Sequence, residues 1–212
     1  MTIKGVIFDL GGVVVDWSNS ITYRYIEDKY RIPAEDFKKI AESGMPDVQR
    51  GVISEESWMR MVFKHFGDLP DDYENIWEKT FTASKFNEQV IELVKGLTLG
   101  GYKVAALSNI EPSRARWLRQ HGIDDYFDTV IYSCEVGLRK PDLPDGPMDG
   151  GIYELVLNRL RLVSDECLFI DDDSNCLVAA EAIGIKTILF ENVVQLKIEL
   201  LKSGVHWSVT PS

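Results

Sequence analysis

The sequence predicts an α/β fold: a parallel sheet core with helices on both faces and an inserted small α-helical cap domain. Three observations predict it. Short segments that are apolar throughout recur along the chain, segments with helical periodicity separate them, and one long helical stretch interrupts this alternation. A strand that is covered on both faces is continuously apolar, and strands that alternate with helices form parallel sheets.

Five apolar segments are the predicted strands of the sheet. They span residues 5–8, 104–107, 130–132, 167–170 and 187–190. Helical segments lie between them: Asn87 and Pro112 suit the first turns of two helices, and Gly122 and Gly184 suit helix ends. We therefore expect helices that cross back over the sheet between successive strands.

The first predicted strand is followed by a long stretch without a convincing strand. Residues 17–86 show helical patterns instead. We therefore expect residues 17–86 to form a helical cap domain, and residues 1–16 and 87–212 to form the core domain. A second irregularity, residues 141–151, contains three prolines and three glycines and predicts an exposed loop.

Composition excludes several classes of protein. The 212 residues include 34 Asp and Glu against 23 Lys and Arg, and this net charge of −11 repels phosphate backbones, so we expect no nucleic-acid partner. No apolar segment approaches the ~20 residues of a membrane span, and the N-terminus lacks the apolar stretch of a signal peptide. We therefore expect no membrane partner. The 3 cysteines have no C-x-x-C spacing, so we expect a cytoplasmic protein in a reducing compartment. The sequence does not indicate an oligomeric state.

Polar side chains follow four predicted strands at the edge where open α/β sheets bind ligands. They are Asp9, Ser108-Asn109, Arg139-Lys140 and Asp171-Asp172-Asp173. Each group alone has a structural explanation as a turn, a helix cap or a solvated charge. Together, carboxylates without histidine or paired thiols favour Mg²⁺, and a lysine and a hydroxyl beside a carboxylate nucleophile are typical of phosphoryl transfer. The motifs of P-loop, dinucleotide-binding and serine-hydrolase enzymes are absent from the sequence.

Four segments resemble, in order, the motifs of the haloacid dehalogenase (HAD) superfamily. They are residues 6–14, 107–109, 137–142 and 169–172. The resemblance covers almost the whole chain and implies a Rossmann-like core with a small helical cap. Residues 50–54 resemble cap segments of the branch that includes α-D-glucose-1-phosphate phosphatases.

The resemblance implies a catalytic mechanism. Asp9 would be the nucleophile that forms an aspartyl-phosphate. Ser108, Asn109 and Lys140 would bind the phosphate group of the substrate. Lys140 would also keep Asp9 ionised, so that the resemblance marks Asp9 and Lys140 as catalytic residues.

The same resemblance implies a Mg²⁺ site. The carboxylate of Asp9, the carbonyl of Gly11 and the carboxylate of Asp172 would be its ligands. Asp171 would support the ion directly or through a water molecule. We expect metal binding to depend on Asp171 and Asp172.

Three features depart from the family pattern. Gly11 stands where many family phosphatases carry the acid that protonates the leaving oxygen, which predicts a slower enzyme or one that uses water or an easily expelled leaving group. Cys176 stands where relatives often have Asn or Asp, and because a thiol is a poor Mg²⁺ ligand, Asp173 or Asn175 is a candidate substitute. Residues 143–150 are an insertion that we expect to be a tolerated surface loop, with a lid that touches substrate as the alternative.

We therefore expect a Mg²⁺-dependent phosphomonoester hydrolase of a small phosphorylated metabolite, with a sugar phosphate as one candidate. In the cap, the candidate substrate contacts are Trp17, Arg24, Arg50 and Trp58, for which packing or surface charge is the alternative role. Three other functions remain open. One is a 2-haloacid dehalogenase, but such enzymes need no metal and lack a pair of carboxylates like Asp171 and Asp172, so these residues disfavour it. Another is a phosphomutase, which Gly11 disfavours because that activity depends on an acid at this position. A degenerate family member would bind a phosphorylated ligand or a protein without turnover.

Overall fold

A parallel sheet forms the centre of the fold. The computed structural model describes residues 2–17, 19–67, 76–142 and 151–208. Within these residues five strands pair in parallel: β1 (Gly5–Phe8), β4 (Lys103–Ser108), β5 (Thr129–Tyr132), β6 (Cys167–Asp171) and β7 (Lys186–Leu189). Their order across the sheet is β5-β4-β1-β6-β7, so the first strand lies in the middle. The predicted α/β class is confirmed.

Successive residues of the central strand are buried on opposite faces of the sheet. Val6 and Phe8 pack into the apolar core on one face, whereas Ile7 packs into the core on the other. The first face is covered by α5 (Glu88–Leu99), α6 (Pro112–Gln120) and α10 (Val193–Lys202), and the second by α8 (Gly151–Leu160) and α9 (Ser174–Ala182). Because both faces are covered, the strands are continuously apolar, as the sequence pattern predicts.

The stretch after the first strand is mainly helical. It contains α1 (Asn19–Tyr30), α2 (Ala34–Gln49), α3 (Glu55–Phe63), α4 (Ile76–Thr80) and a short 3₁₀ turn, Phe81–Ala83. These helices bury an apolar cluster of their own, centred on Phe37, Trp58 and Phe63. Ser54 caps α3, since its hydroxyl accepts a hydrogen bond from the backbone N–H of Ser57 at 3.1 Å.

The expectation that residues 17–86 contain no strand is wrong at one end. β2 (Val15–Asp16) pairs antiparallel with β3 (Lys85–Phe86), so the chain leaves the sheet and returns to it through a small ribbon. A strand of 2 residues is too short to show an alternating pattern, so only the pairing across the fold reveals it.

The segment between β5 and α8 begins with α7 (Ser133–Val136). The predicted insertion, residues 143–150, lies outside the described residues. Of the described helices, none combines the length and the apolar character that a bilayer crossing requires.

Candidate active site

Asp9 lies at the carboxyl end of the central strand. Its backbone N–H donates to the carbonyl of Ile170, which places it beside the end of β6 at 2.8 Å. A tight turn follows, in which Gly12 has a φ of 74°. A Cβ on Gly12 would lie 2.6 Å from Cγ of Asp172, so glycine at this position permits the turn after β1 to approach the turn after β6.

Three carboxylates meet at this edge of the sheet. Oxygen atoms of Asp9, Asp171 and Asp172 all lie within 4.8 Å of one another, with Asp9 and Asp171 buried and Asp172 exposed. Burial raises the pKa of Asp9 to about 7; Lys140 opposes this shift and Asp171 adds to it. Burial, and then the charge of Asp171, raises the pKa of Asp172 as well. Bringing these groups together without a cation is therefore electrostatically unfavourable.

Lys140 supplies a positive charge between two of these carboxylates. Its Nζ donates to Oδ1 of Asp9 at 2.8 Å and to Oδ2 of Asp171 at 2.6 Å. Burial lowers the pKa of Lys140, but the charges of Asp9 and Asp171 outweigh this effect and hold it above its ordinary value. The ammonium group is therefore positioned to keep Asp9 ionised in a buried site.

Asn109 holds the backbone of Lys140. Its Nδ2 donates to the carbonyl of Lys140 at 2.7 Å, and its Oδ1 accepts from the N–H of Lys140 at 2.8 Å. These two bonds tie the end of β4 to the segment that carries the lysine. Ser108, the last residue of β4, is buried beside it. Direct phosphate contacts of Ser108 and Asn109 stay predictions.

The carboxylate cluster fits a hard, oxygen-seeking cation. Asp9, Asp171 and Asp172 offer oxygen ligands, which Mg²⁺ prefers, and Gly11 lies on the turn that follows Asp9. Lys140 offsets part of the mutual repulsion of Asp9 and Asp171, and a divalent cation would offset more of it. The residues present therefore fit the implied ion.

The candidate substitute ligands have other contacts. Oδ1 of Asp173 caps α9 by accepting from the backbone N–H of Asn175 at 2.9 Å, and it also accepts from the side-chain amide of Asn175. Cys176 is buried in the apolar core between the sheet and α9, and burial raises its pKa to about 12. Its carbonyl accepts from the hydroxyl of Tyr153 at 2.9 Å.

The candidate contacts in the helical segment fall into different environments. Trp58 is buried in the apolar cluster of the segment and donates from Nε1 to the carbonyl of Ala41 at 3.2 Å. Arg24 is exposed. Arg50 forms an ion pair with Asp142, two residues after Lys140. Trp17 lies beside Gly11, since its Nε1 is 2.7 Å from the position that a Cβ of Gly11 would take.

Further polar contacts join the helical segment to the core. Nε of Arg139, the residue before Lys140, donates to Oε1 of Gln49 at the end of α2 at 2.9 Å. Glu55 accepts from the backbone N–H of Ser113 at 3.2 Å and from its hydroxyl. The sequence pattern contains no signal for these pairs, because their members lie far apart along the chain.

Comparison with known proteins gives a family match that covers most of the chain. A model of haloacid dehalogenase-like hydrolases matches residues 3–184. The chain is also similar to the bifunctional epoxide hydrolase 2 of Sus scrofa, with 28% identity over 233 residues that cover 100% of this chain. That match takes up 41% of the relative, so this chain spans less than half of its length.

Other relatives match over nearly their full length. The D-ribitol-5-phosphate phosphatase of Bacteroides thetaiotaomicron is 26% identical over 212 residues, which cover 93% of this chain and 97% of the relative. A solved structure of a HAD family enzyme from the same organism has a TM-score of 0.72 at 20% identity and covers 90% of this chain and 95% of that one. Another structure of that enzyme, with a TM-score of 0.65 at 20% identity over 89% of this chain and 94% of that one, holds magnesium and inorganic phosphate.

Proposed function

The chain belongs to the haloacid dehalogenase-like hydrolases, and from this premise we propose that it is a Mg²⁺-dependent phosphatase of a small phosphorylated metabolite. The observation that carries the proposal is the meeting of Asp9, Asp171 and Asp172 at one edge of the sheet, with Lys140 between two of them. Such a site is suited to phosphoryl transfer, because the three carboxylates can hold a hard cation and the ammonium group of Lys140 lies next to the nucleophile candidate Asp9.

Asp9 is the proposed nucleophile. Its Oδ attacks phosphorus, the bond between phosphorus and the leaving oxygen breaks, and the electron pair of that bond goes to the leaving oxygen. The resulting aspartyl-phosphate is then attacked at phosphorus by water, which releases inorganic phosphate and regenerates the carboxylate. Lys140 supports the first step because its ammonium group favours the ionised form of Asp9, which burial disfavours.

The phosphate group of the substrate is proposed to lie at the ends of β1 and β4. The hydroxyl of Ser108 and the ammonium group of Lys140 would donate to its oxygens, whereas Asn109 positions Lys140 through its backbone. Asp9, the carbonyl of Gly11 and Asp172 are the proposed metal ligands, with Asp171 in support. A bound Mg²⁺ supplies positive charge that offsets the repulsion between the phosphate and the carboxylates.

Residues 17–86 are proposed to act as a cap domain over this site, with residues 1–16 and 87–212 as the core. The ribbon of β2 and β3 is the place where the chain crosses between them, and the pair of Arg50 and Asp142 joins them next to Lys140. A cap of this kind suits a small substrate, and the name of the D-ribitol-5-phosphate phosphatase makes a sugar phosphate one candidate. We also propose a cytoplasmic location.

Hydrolysis of p-nitrophenyl phosphate tests the proposal. The protein should release nitrophenol with Mg²⁺ and lose this activity in EDTA. Asp9→Asn should lower the rate by at least about 10³-fold, because it removes the nucleophile. The matched control is Asp173→Asn, which changes an exposed neighbour of the cluster and keeps a good helix cap.

Other outcomes would point to the alternatives. Wild-type turnover by Asp9→Asn would overturn the assignment of the nucleophile. Chloride release from 2-chloropropionate without metal would favour a haloacid dehalogenase. Binding of vanadate that requires Mg²⁺, without hydrolysis of any phosphate ester in a metabolite panel, would favour a ligand-binding protein.

A further inference from the structure

The space beside Gly11 is filled by an aromatic side chain. A Cβ on Gly11 would lie 2.7 Å from Nε1 and 3.1 Å from Cδ1 of Trp17, and 3.9 Å from Oδ2 of Asp9. Gly11 is not one of the glycines with a positive φ, so its backbone would accept another residue. The indole of Trp17 is therefore what excludes a side chain from this position.

The indole is held in place by its neighbours. Trp117 lies edge-on to it at 6.1 Å between ring centroids, and Phe81 lies 6.4 Å away. The guanidinium carbon of Arg114 lies 4.8 Å from the centroid of the Trp17 ring. Arg114 is itself buried and is bound to Asn19 by a hydrogen bond of 2.7 Å and to Glu111 by an ion pair of 2.8 Å. Rotation of Trp17 out of its place would disrupt this packing.

The N–H of the Trp17 indole is available to donate a hydrogen bond to a substrate. No residue within the described ranges accepts a hydrogen bond from Nε1 of Trp17, although the ring is half-buried. An indole N–H is a hydrogen-bond donor only, and it is too weak an acid to transfer its proton to a leaving oxygen. A carboxyl group at position 11 could protonate a leaving oxygen, whereas Trp17 can only donate a hydrogen bond to it.

We propose that Trp17 is a specificity-determining residue that occupies the acid position beside Asp9 and donates a hydrogen bond to the leaving oxygen without protonating it. This inference rests on the proposed phosphatase function and narrows its substrate class. The bond from phosphorus to the leaving oxygen breaks while the bond to Asp9 forms, the leaving group departs as an anion, and it takes a proton from water afterwards. The preferred substrates are therefore phosphate monoesters of acidic hydroxyls, such as phenols and enols, rather than of ordinary alcohols.

A series of substituted phenyl phosphates, extended by glycerol 3-phosphate as an alkyl ester, tests the proposal. In the wild-type protein kcat/KM should fall steeply as the pKa of the leaving group rises, with the alkyl ester at least about 10²-fold below p-nitrophenyl phosphate. Trp17→Phe removes the N–H and should lower kcat/KM about three- to tenfold more for the alkyl ester than for the nitrophenyl ester. The double variant Gly11→Asp with Trp17→Ala supplies an acid and the space for it, and should raise the alkyl-to-nitrophenyl ratio about 10²-fold.

Trp117→Phe is the matched control, because it alters an indole of the same aromatic group while the side chain beside Gly11 remains. This variant should leave the alkyl-to-nitrophenyl ratio unchanged. A wild-type protein that hydrolyses both esters with similar kcat/KM would overturn the inference, and this measurement decides the matter even if a variant does not fold.

Failure of this inference is distinguishable from failure of the proposed function. Nitrophenyl phosphate hydrolysis that Asp9→Asn abolishes, together with a flat dependence on the leaving group, would retain the phosphatase and reject the role of Trp17. Hydrolysis that survives Asp9→Asn would reject the phosphatase mechanism itself. A ratio that Trp17→Phe and Trp117→Phe change equally would assign Trp17 a packing role only.

Discussion

Nζ of Lys140 lies 2.8 Å from Oδ1 of Asp9, although the two residues are 131 positions apart in the sequence. The lysine is 2% exposed, so its charge acts in a region with little solvent screening. Asp171 accepts from the same ammonium group at 2.6 Å. The lysine thus compensates part of the negative charge that three converging carboxylates bring to the sheet edge.

Lys140→Ala should destabilise the protein strongly. The substitution leaves Asp9 and Asp171 buried without their cation, and removing one partner of a buried ion pair costs about 3–5 kcal/mol. Urea unfolding at neutral pH measures the loss. Lys4→Ala is the control, since it breaks the exposed ion pair with Glu166 and should have little effect. Equal losses in the two variants would contradict the electrostatic role of Lys140.

Mg²⁺ should stabilise the folded protein through Asp172. A ligand at 100 times its dissociation constant adds about 2.7 kcal/mol to the free energy of unfolding, so the melting temperature of the wild-type protein should rise with Mg²⁺. Asp172→Asn should abolish most of this rise, because it removes one carboxylate of the cluster. Asp173→Asn should retain it. A Mg²⁺-dependent rise that Asp172→Asn does not alter would place the ion elsewhere.

Gly12→Ala should impair metal binding as well as stability. Both Gly12 and Gly101 have a positive φ, at 74° and 87°, and alanine in that conformation costs about 1–2 kcal/mol. A Cβ on Gly101 meets nothing within 4 Å, whereas one on Gly12 would overlap with the carboxylate of Asp172. We therefore expect both variants to melt at a lower temperature than the wild-type protein, because both carry the backbone strain. Only Gly12→Ala should also lose the rise in melting temperature that Mg²⁺ produces. The same Mg²⁺ response in both would refute the proposed closeness of this turn to the ion.

The pair of Arg50 and Asp142 should couple the helical segment to the site. Arg50→Ala and Asp142→Ala should each raise KM for p-nitrophenyl phosphate, and the double variant should raise it by less than the product of the two effects, because one contact is lost in all three proteins. Asp142 is 41% exposed at its side chain, so the coupling energy should be no more than about 0.5 kcal/mol. Arg60→Ala breaks an ion pair within α3 and should leave KM unchanged. Strict additivity of the two bridging variants would show that the pair does not act as a unit.

Residues 5–8 and 167–170 are strands that the sequence predicts correctly. Both segments are apolar throughout, and both are central strands buried on two faces, because hydrophobic burial is recorded residue by residue in the sequence. The sequence also predicts that the carboxylates after these strands lie at one edge of the sheet, because parallel strands end on the same side. Lys85 and Phe86 mark the limit, since their pairing with residues 15–16 has no local signal.

Position 11 shows why the site could only partly be predicted. The sequence shows that position 11 lacks the acid. It does not show that the indole of Trp17 occupies the space beside Gly11, or that Asn109 forms hydrogen bonds with the backbone of Lys140. Such contacts depend on side-chain rotamers and on how distant segments meet.

By itself, the sequence determined the five strands of the parallel sheet, the mainly helical segment between residues 17 and 86, and the acidic edge of the sheet. Hydrophobic periodicity is a local property of the chain, and parallel strands end on the same side of a sheet. The tertiary structure alone decided which group stands beside the carboxylate of Asp9 and which contacts join the helical segment to the core. The physical reason is that packing brings residues together irrespective of their separation along the chain, and side-chain orientation follows from that packing.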